Sequence, residues 1–382
     1  MSKLEQLIAE LCPDGVVYKN LSQVLTIKNG KDYKGFEKGD VPVYGTGGIM
    51  TYIDRAVFEK PSVLIPRKGS IDKLYYVDIP FWTVDTIYYT DIRTEVVEPK
   101  YIFYYLQAQH LEKLNTAGGV PSLTQAVLNI IKIPLPPLPI QHEIVRILDN
   151  FTELTAELTA ELTAELTARK KQYEFYRDVL LDDKNVPRVS LKSVVKRSSS
   201  GSTPTKGVSA YYENGTIPWL RTQDVKFNEI YEISSFITEE AVKKTSAKWI
   251  PENCVIVAIS GATAGRCAIN KIATTTNQHC LNLEINNDKA LYKYVYYCVY
   301  SKYEELISRK QGARGDLNST LILGIEIPLP PLETQERIVA ILDRFDTLCN
   351  DLSSGLPAEI EARRKQYEYY RDKLLTFKEA GA

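Results

Sequence analysis

Apolar side chains recur at helical spacing along two long stretches of this chain, and the stretches are copies of one another. In the first, Ile144, Ile147, Leu148, Phe151, Leu154 and Leu158 fall on one face. In the second, Ile338, Ile341, Leu342, Phe345, Leu348 and Leu352 repeat the pattern. Both open on the same prolines: Ile133-Pro-Leu-Pro-Pro-Leu138 returns as Ile327-Pro-Leu-Pro-Pro-Leu332. Both close alike, Arg169-Lys-Lys-Gln-Tyr-Glu-Phe-Tyr-Arg-Asp178 returning as Arg363-Arg-Lys-Gln-Tyr-Glu-Tyr-Tyr-Arg-Asp372. Residues 133–181 and 327–375 align without a gap, with roughly six positions in ten identical. Proline lacks an N–H and disfavours helix at the residue before it, so each block predicts a stiff entry and then a long helix. The first starts after Pro139 and runs to about Leu181, roughly 40 residues and about 60 Å. Two such rods in one chain most simply pack as an antiparallel coiled coil.

The copies part company at one place. Thr-Ala-Glu-Leu occurs three times in tandem from Thr155 to Leu166, where the second copy has Ser353-Ser-Gly-Leu-Pro357. The second rod is therefore expected to be kinked or interrupted there. Each four-residue unit lengthens a helix by about 6 Å and rotates the downstream part by about 40°. The run reads either as a plain solvated helix, since Ala, Glu and Leu all favour one, or as a spacer that sets separation and phase.

A repeat near two hundred residues is too long for a solenoid, whose units run about 20–50 residues. At 382 residues the chain suits two domains, each followed by a matching helix. Residues 1–12 predict a short amphipathic helix ended by Pro13-Asp-Gly15. Val63-Leu-Ile65 and Thr86-Ile-Tyr-Tyr-Thr90 predict strands, and Tyr101–Leu114 a helix broken at Gly118-Gly119. The second half replays that order with strands Ile217-Pro-Trp-Leu220, Cys254–Ile259 and Cys280–Ile285, then a helix Tyr292–Ser308 before Gly312. The predicted fold class is mixed α/β (α+β): two similar globular domains, 1–135 and 184–329, with two long helices in 136–183 and 330–382.

The composition is that of a soluble globular protein, and no stretch approaches the 18 apolar residues of a membrane span. The N-terminus lacks the basic-then-apolar layout of a secretory signal. Six scattered cysteines without Cys-x-x-Cys suggest reduced core thiols and a cytoplasmic location. Zinc at Cys280 beside His279 has the wrong ligand spacing. The net charge of −1 is segregated. Glu153, Glu157, Glu161 and Glu165 load one helix, while Lys192, Lys196, Arg197 and Lys206 cluster elsewhere.

No catalytic constellation stands out. A phosphate loop of the Gly-x-x-x-x-Gly-Lys-Ser/Thr type is missing, and Gly45-Thr-Gly-Gly48 is too short for a dinucleotide fingerprint. The histidines have no evident nucleophile or metal partner.

The chain resembles a specificity subunit of a type I restriction–modification enzyme. The resemblance spans essentially its whole length. It rests on Leu11-Cys-Pro-Asp-Gly-Val16, Val41-Pro-Val-Tyr-Gly-Thr-Gly-Gly-Ile49, the Arg67-Lys-Gly69 loop, Thr276-Asn-Gln278 and the twice-used proline-to-Arg-x-Lys-Gln-Tyr block. It implies two target-recognition domains reading a split duplex DNA sequence, and helices that hold them apart and bind two adenine-methylating modification subunits. Restriction subunits are possible further partners. It also implies no catalysis and no bound cofactor or metal in this chain. The partners would use S-adenosylmethionine, and ATP with Mg where a restriction subunit joins. The interrupted second helix puts an exactly symmetric coiled coil in doubt.

Reading DNA needs donors and acceptors on loops, with basic groups nearby for phosphate. In the first domain the Lys28-Asn-Gly-Lys31 loop (Lys28 and Lys31 above all), Lys34, Tyr44, Arg67, Lys68, Ser70 and Thr83 qualify, with Trp82 and Asp85 beside them. In the second, Thr203, Thr205, Lys206, Arg221, Thr222, Gln223, Arg266, Asn277, Gln278, Gln311 and Arg314 qualify. Arg221 and Arg266 suit guanine, whose O6 and N7 a guanidinium grips together; Gln223, Asn277 and Gln278 suit adenine. Taken singly, each is more often an ordinary surface residue; it is the loop clusters that carry the reading. Ile144, Leu148, Phe151, Leu154, Leu158, Tyr173, Tyr176, Ile338, Leu342, Phe345, Tyr367 and Tyr370 are the candidate helix and partner contacts. Two other classes stay open: a coiled-coil scaffold without nucleic acid, and a nuclease with unplaced carboxylates.

Overall fold

The computed structural model describes residues 2–115, 120–309, 316–351 and 354–381. Gly118, Gly119, Lys310, Gln311, Gly312, Arg314, Leu352 and Ser353 lie outside the described residues. The chain forms two compact units, Met1–Thr163 with Glu359–Ala382, and Ala164–Ala358. A single helix, Leu138–Leu181, runs through the proline-led block and all three tandem units, so its first part belongs to one unit and its last part to the other. Its counterpart is split into Leu332–Asn350 and Leu356–Leu374, as the Gly-Leu-Pro sequence predicts. Gly355 makes the break possible, because a Cβ there would lie 2.5 Å from the Thr347 carbonyl oxygen.

In the first unit Ser2 caps the helix Lys3–Leu11 through a box with Glu5. A four-stranded sheet comes next, ordered Leu25–Asn29, Ile87–Ile92, Ser62–Pro66, Tyr75–Val77. A three-stranded sheet, Gly48–Ile53, Val41–Gly45, Trp82–Thr83, stands beside it. The helix predicted over 101–114 is shorter, Pro99–Ala108. His110, at φ 50°, turns the chain left-handed, and a 3-10 turn, Leu111–Leu114, completes the corner. Burying Leu111 against the core requires that corner.

The second unit repeats the plan. Its larger sheet is ordered Val195–Ser200, Cys280–Ile285, Val255–Ala258, Cys267–Asn270, Glu229–Ile230. Its smaller one is Phe236–Ile237, Ile217–Leu220, Thr274–Thr276, Trp249–Ile250. The helix predicted as continuous over 292–308 is two, Tyr292–Ser301 and Tyr303–Ser308, which lets Leu306 enter the core. Cys254, Cys267, Cys280 and Cys298 are buried free thiols, and burial pushes the Cys254 thiol up to about 12.

Each unit is fastened to its long helix in the same way. The fully buried Gln141 accepts from the Glu98 N–H (2.9 Å) and donates to the Pro136 carbonyl (2.7 Å). Gln335 accepts from the Leu291 N–H (2.9 Å) and donates to the Pro330 carbonyl (2.8 Å). Further along each helix, Asp149 takes Lys100 (2.8 Å) and the Tyr104 hydroxyl (2.7 Å), while Asp343 takes Lys293 (2.8 Å) and the Tyr297 hydroxyl (2.6 Å).

The apolar stripe therefore serves two interfaces. Ile144 and Leu148, like Ile338 and Leu342, are buried in the globular cores. Beyond them helix meets helix, and the pairs are antiparallel. In the first unit Phe151 packs on the Tyr370 ring and Thr152 hydrogen-bonds Tyr367 at 3.0 Å. In the second Phe345 lies between Tyr173 and Tyr176. Leu154 stays 63% exposed, whereas Tyr173 is 3% exposed with its hydroxyl lacking a partner among the described residues.

Candidate nucleic-acid interface

The equivalent loops of the two units are held by the same backbone hydrogen bonds. Lys31 donates its N–H to Thr83 (2.8 Å) and Ser202 to Thr276 (2.9 Å). Val84 donates to Tyr44 (3.0 Å) and Asn277 to Leu220 (2.9 Å). Arg67 donates to Thr86 (2.8 Å) and Ile259 to His279 (2.9 Å), and Leu123 returns to Arg67 as Leu317 does to Ile259. Two glycines make the close passage possible: a Cβ on Gly30 would lie 2.0 Å from the Val84 carbonyl oxygen, and one on Gly201 1.9 Å from that of Thr276. An indole clamps each loop from above. Trp82 donates Nε1–H to the Lys31 carbonyl (2.9 Å) and Trp219 to that of Ser202 (3.1 Å), although the two tryptophans come from opposite strands of the paired set.

On this common frame the side chains differ. Where the second unit has Arg221, Asn277 and Gln278, the first has Gly45, Val84 and Asp85. Where the first has Arg67 and Lys68, the second has Ile259 and Ser260. In the second unit the parallel strands Ile217–Leu220 and Thr274–Thr276 bring the predicted residues together at one sheet end. Thr203 hydrogen-bonds the Gln278 side-chain oxygen, Gln278 faces His279 Nε2 at 3.1 Å, and Asn277 Oδ1 accepts the His279 N–H at 3.1 Å. The Arg221 guanidinium lies 5.9 Å from the Trp219 ring centre, and its backbone N–H is taken by Asp224 at 2.9 Å. The Nε atoms of Arg221 and Arg266 are buried without a partner among the described residues. Thr205, Lys206 and Gln223 are exposed, and Thr222 half-buried.

The first unit sorts its predicted residues differently. Lys31, Lys34, Lys68 and Ser70 are exposed on loops, and Arg67 is half-buried over the Tyr88 ring at 5.9 Å. Lys28 is committed to Asp91 at 2.7 Å, which holds the lysine above its ordinary value. Tyr44 is half-buried among Tyr75 and Phe81, and desolvation raises its hydroxyl above the usual phenol range. Thr83 is wholly buried. Asn29, from the predicted Lys28–Lys31 loop, lines a cleft with Arg67, Lys68 and Tyr88, and Ser122 and Gln125, absent from the predicted set, complete it. Their spacing along the chain carries no signal, because strand ends distant in sequence bring them together.

Among the described residues no cluster of His, Cys, Asp and Glu is arranged to hold a metal, and no helix is long and apolar enough to cross a membrane. The two α/β units thus share a backbone frame and differ in the groups they present on it. The chain belongs to the type I restriction modification DNA specificity domain family, matched over 13–168 and again over 184–362. It is 38% identical over 291 residues to the type I restriction enzyme EcoR124I/EcoR124II specificity subunit of Escherichia coli, covering 73% of this chain and 70% of that one. It is 34% identical over 382 residues to the putative type I restriction enzyme specificity subunit S.HindORF215P of Haemophilus influenzae, covering 95% and 96%.

A solved chain from work on complex assembly and conformational transition of the type I R-M system superposes with a TM-score of 0.71 at 17% identity, over 95% of this chain and 98% of that one. The HsdS subunit of Thermoanaerobacter tengcongensis gives 0.56 at 18%, over 96% of each. These likenesses carry the fold. The chain is a specificity subunit and not a catalytic one.

Proposed function

We propose that this chain recognises a bipartite duplex DNA sequence and directs partner adenine methyltransferase subunits to it. Residues 1–135 and 184–329 act as the two readers, and 136–183 and 330–382 as spacer and partner-binding helices. The observation that carries the reading is the shared loop frame bearing different groups, since a common scaffold with different loops is how one fold reads two ligands. Arg221, Arg266, Asn277 and Gln278 supply base contacts in one half, and Arg67 with Lys68 supply contacts in the other. Lys31, Lys34 and Lys206 hold phosphate. Two modification subunits, using S-adenosylmethionine, dock on the helices, and ATP-dependent restriction subunits can join them in the cytoplasm.

Methylome sequencing of cells carrying this chain with its methyltransferase partner tests the proposal. One split sequence methylated at adenine is expected, and methylation spread over unrelated sites would refute it. The continuous helix through Thr155–Leu166 supports a ruler role. Deleting Thr155–Leu158 should shorten the unread gap by about one to two base pairs, as about 6 Å of helix meets roughly 3.4 Å per base pair. An unchanged gap rejects the ruler and leaves the reader intact.

A further inference from the structure

We infer that Asn29 and Gln125 form a single composite reader for one adenine in the half-site of the first unit; the inference rests on the DNA-reading function proposed above. The pair sits where three strand ends converge. Asn29 ends Leu25–Asn29 and pairs with Tyr88 in the neighbouring strand, and Arg67 comes directly after the third strand, Ser62–Pro66. Gln125 arrives from the segment tied to that corner by the Leu123 N–H to the Arg67 carbonyl, 2.9 Å. Together with Lys68 and Ser122 these residues line an open cleft of about 440 Å³.

The chemistry of the cleft is one-sided. None of its lining residues is acidic. Unlike Lys28, neither Arg67, half-buried over the Tyr88 ring, nor the exposed Lys68 has an ion pair among the described residues, so two positive charges without a carboxylate partner stand beside neutral amides. That is the composition that takes a phosphodiester and the edge of its base together.

The amides decide which base. Gln125 Nε2–H donates to Asn29 Oδ1 at 3.3 Å. That one bond uses a donor of the first and an acceptor site of the second. It leaves the Asn29 Nδ2–H groups as donors and Gln125 Oε1 as an acceptor, without a protein partner among the described residues, besides the second N–H of Gln125 and the second lone pair of Asn29 Oδ1. If both amides are turned over, one side chain again keeps its whole NH2 and the other its whole carbonyl, so either orientation offers a donor group on one and an acceptor on the other. Adenine presents an N7 acceptor and an N6 donor in the major groove, which this pair complements. Guanine presents two acceptors, N7 and O6, and would leave the free carbonyl of the pair without a partner. The mutual hydrogen bond also restrains both amides before DNA arrives, which reduces the ordering they lose on binding.

The second unit shows that the corner is free to vary. Its equivalent positions are Ser200, Ile259 and Ser319, short hydroxyls and a hydrocarbon on the same backbone frame. A position that kept its frame and changed its groups between the halves is a position that specifies.

The test uses the full chain assembled with its methyltransferase subunits and duplexes carrying the target defined by methylome sequencing. Each adenine other than the methylated one is replaced in turn by 7-deazaadenine, which removes the N7 acceptor and leaves pairing intact. Binding should fall about five- to a hundredfold at one adenine of the first unit's half-site. N29L and Q125L should relax the methylome at that same position, keep the other half-site, and show no further loss on the modified duplex. No sensitive adenine, a sensitive adenine whose loss is unchanged in both variants, or variants weakened equally on every sequence would each overturn the inference. The modified-duplex arm needs no variant, so a misfolded protein does not decide it. A wild-type complex that shows no sequence preference at all would instead remove the parent function, and this inference with it.

Discussion

The two units differ least where backbone meets backbone and most where side chains face solvent. Gly30 and Gly201 occupy the same tight passage, Gln141 and Gln335 the same buried joint, and Asp149 and Asp343 take the same lysine–tyrosine pair. On that frame Arg221 replaces Gly45, Asn277 replaces Val84, and Ile259 replaces Arg67. A buried polar joint has few solutions, because each donor and acceptor must be matched. A loop surface has many. Duplication and then loop change gives two readers with one way of mounting them.

The largest effect expected from breaking that comparison is on the shared passage. Gly30→Ala and Gly201→Ala each drive a Cβ onto a carbonyl oxygen. Each should destabilise its own unit by about 3 kcal/mol, as read by urea unfolding with hydrogen exchange resolved by unit. Equal losses would confirm equal frames, and a tolerated substitution would show that one loop can move. Next are Gln141→Leu and Gln335→Leu. Each removes the partner of one N–H and of two carbonyls, at about 2–3 kcal/mol. Faster exchange at the Glu98 amide in one variant, and at the Leu291 amide in the other, is the readout. A variant whose amide exchanges as before would show that the glutamine is not the fastener.

Smaller in stability but sharper in function is Arg221→Ala, placed where the first unit has glycine. Specificity at one base of the second half-site should relax by about 1–3 kcal/mol, with the first half-site unchanged in the methylome. Relaxation in both halves would undo the separation of the two readers.

The smallest effect concerns a joint that, among the described residues, the first unit alone has. Arg146, and after it Lys3, hold the Glu143 carboxyl down to about 2, and Lys3 thereby ties the N-terminal helix to the long one. A depressed carboxylate contributes stability that is complete above its unfolded value near 4.5 and is lost as pH falls towards 2. Wild type should therefore lose more stability than Glu143→Gln between about pH 4.5 and about pH 2.5 in thermal melts. Parallel curves would mean that the contact is idle.

Several of these features could be read without coordinates. The proline-led blocks, the long first helix and the break at Gly355-Leu-Pro357 come from local rules and an internal repeat. The joint glutamines were legible in principle, since Gln141 and Gln335 are identical polar residues inside an otherwise apolar stripe. The grouping of Asn29, itself in the predicted Lys28–Lys31 loop, with Ser122 and Gln125 was not. Exposed positions such as Asn29 obey no periodicity, and these three share a site only because separate strands end at one corner. Lys28 and Thr83 show the converse, residues of the right chemistry whose neighbours enclose or neutralise them.

Sequence by itself determined the duplication, the helices and the absence of a recognisable catalytic motif, because helix propensity, proline geometry and repetition act over a few neighbouring residues. Tertiary structure alone decided which polar side chains stand free, which are buried or paired, and that Glu359–Leu374 folds with the N-terminal unit. Those outcomes depend on contacts between segments far apart in the chain, and no local pattern encodes what such a contact will cover.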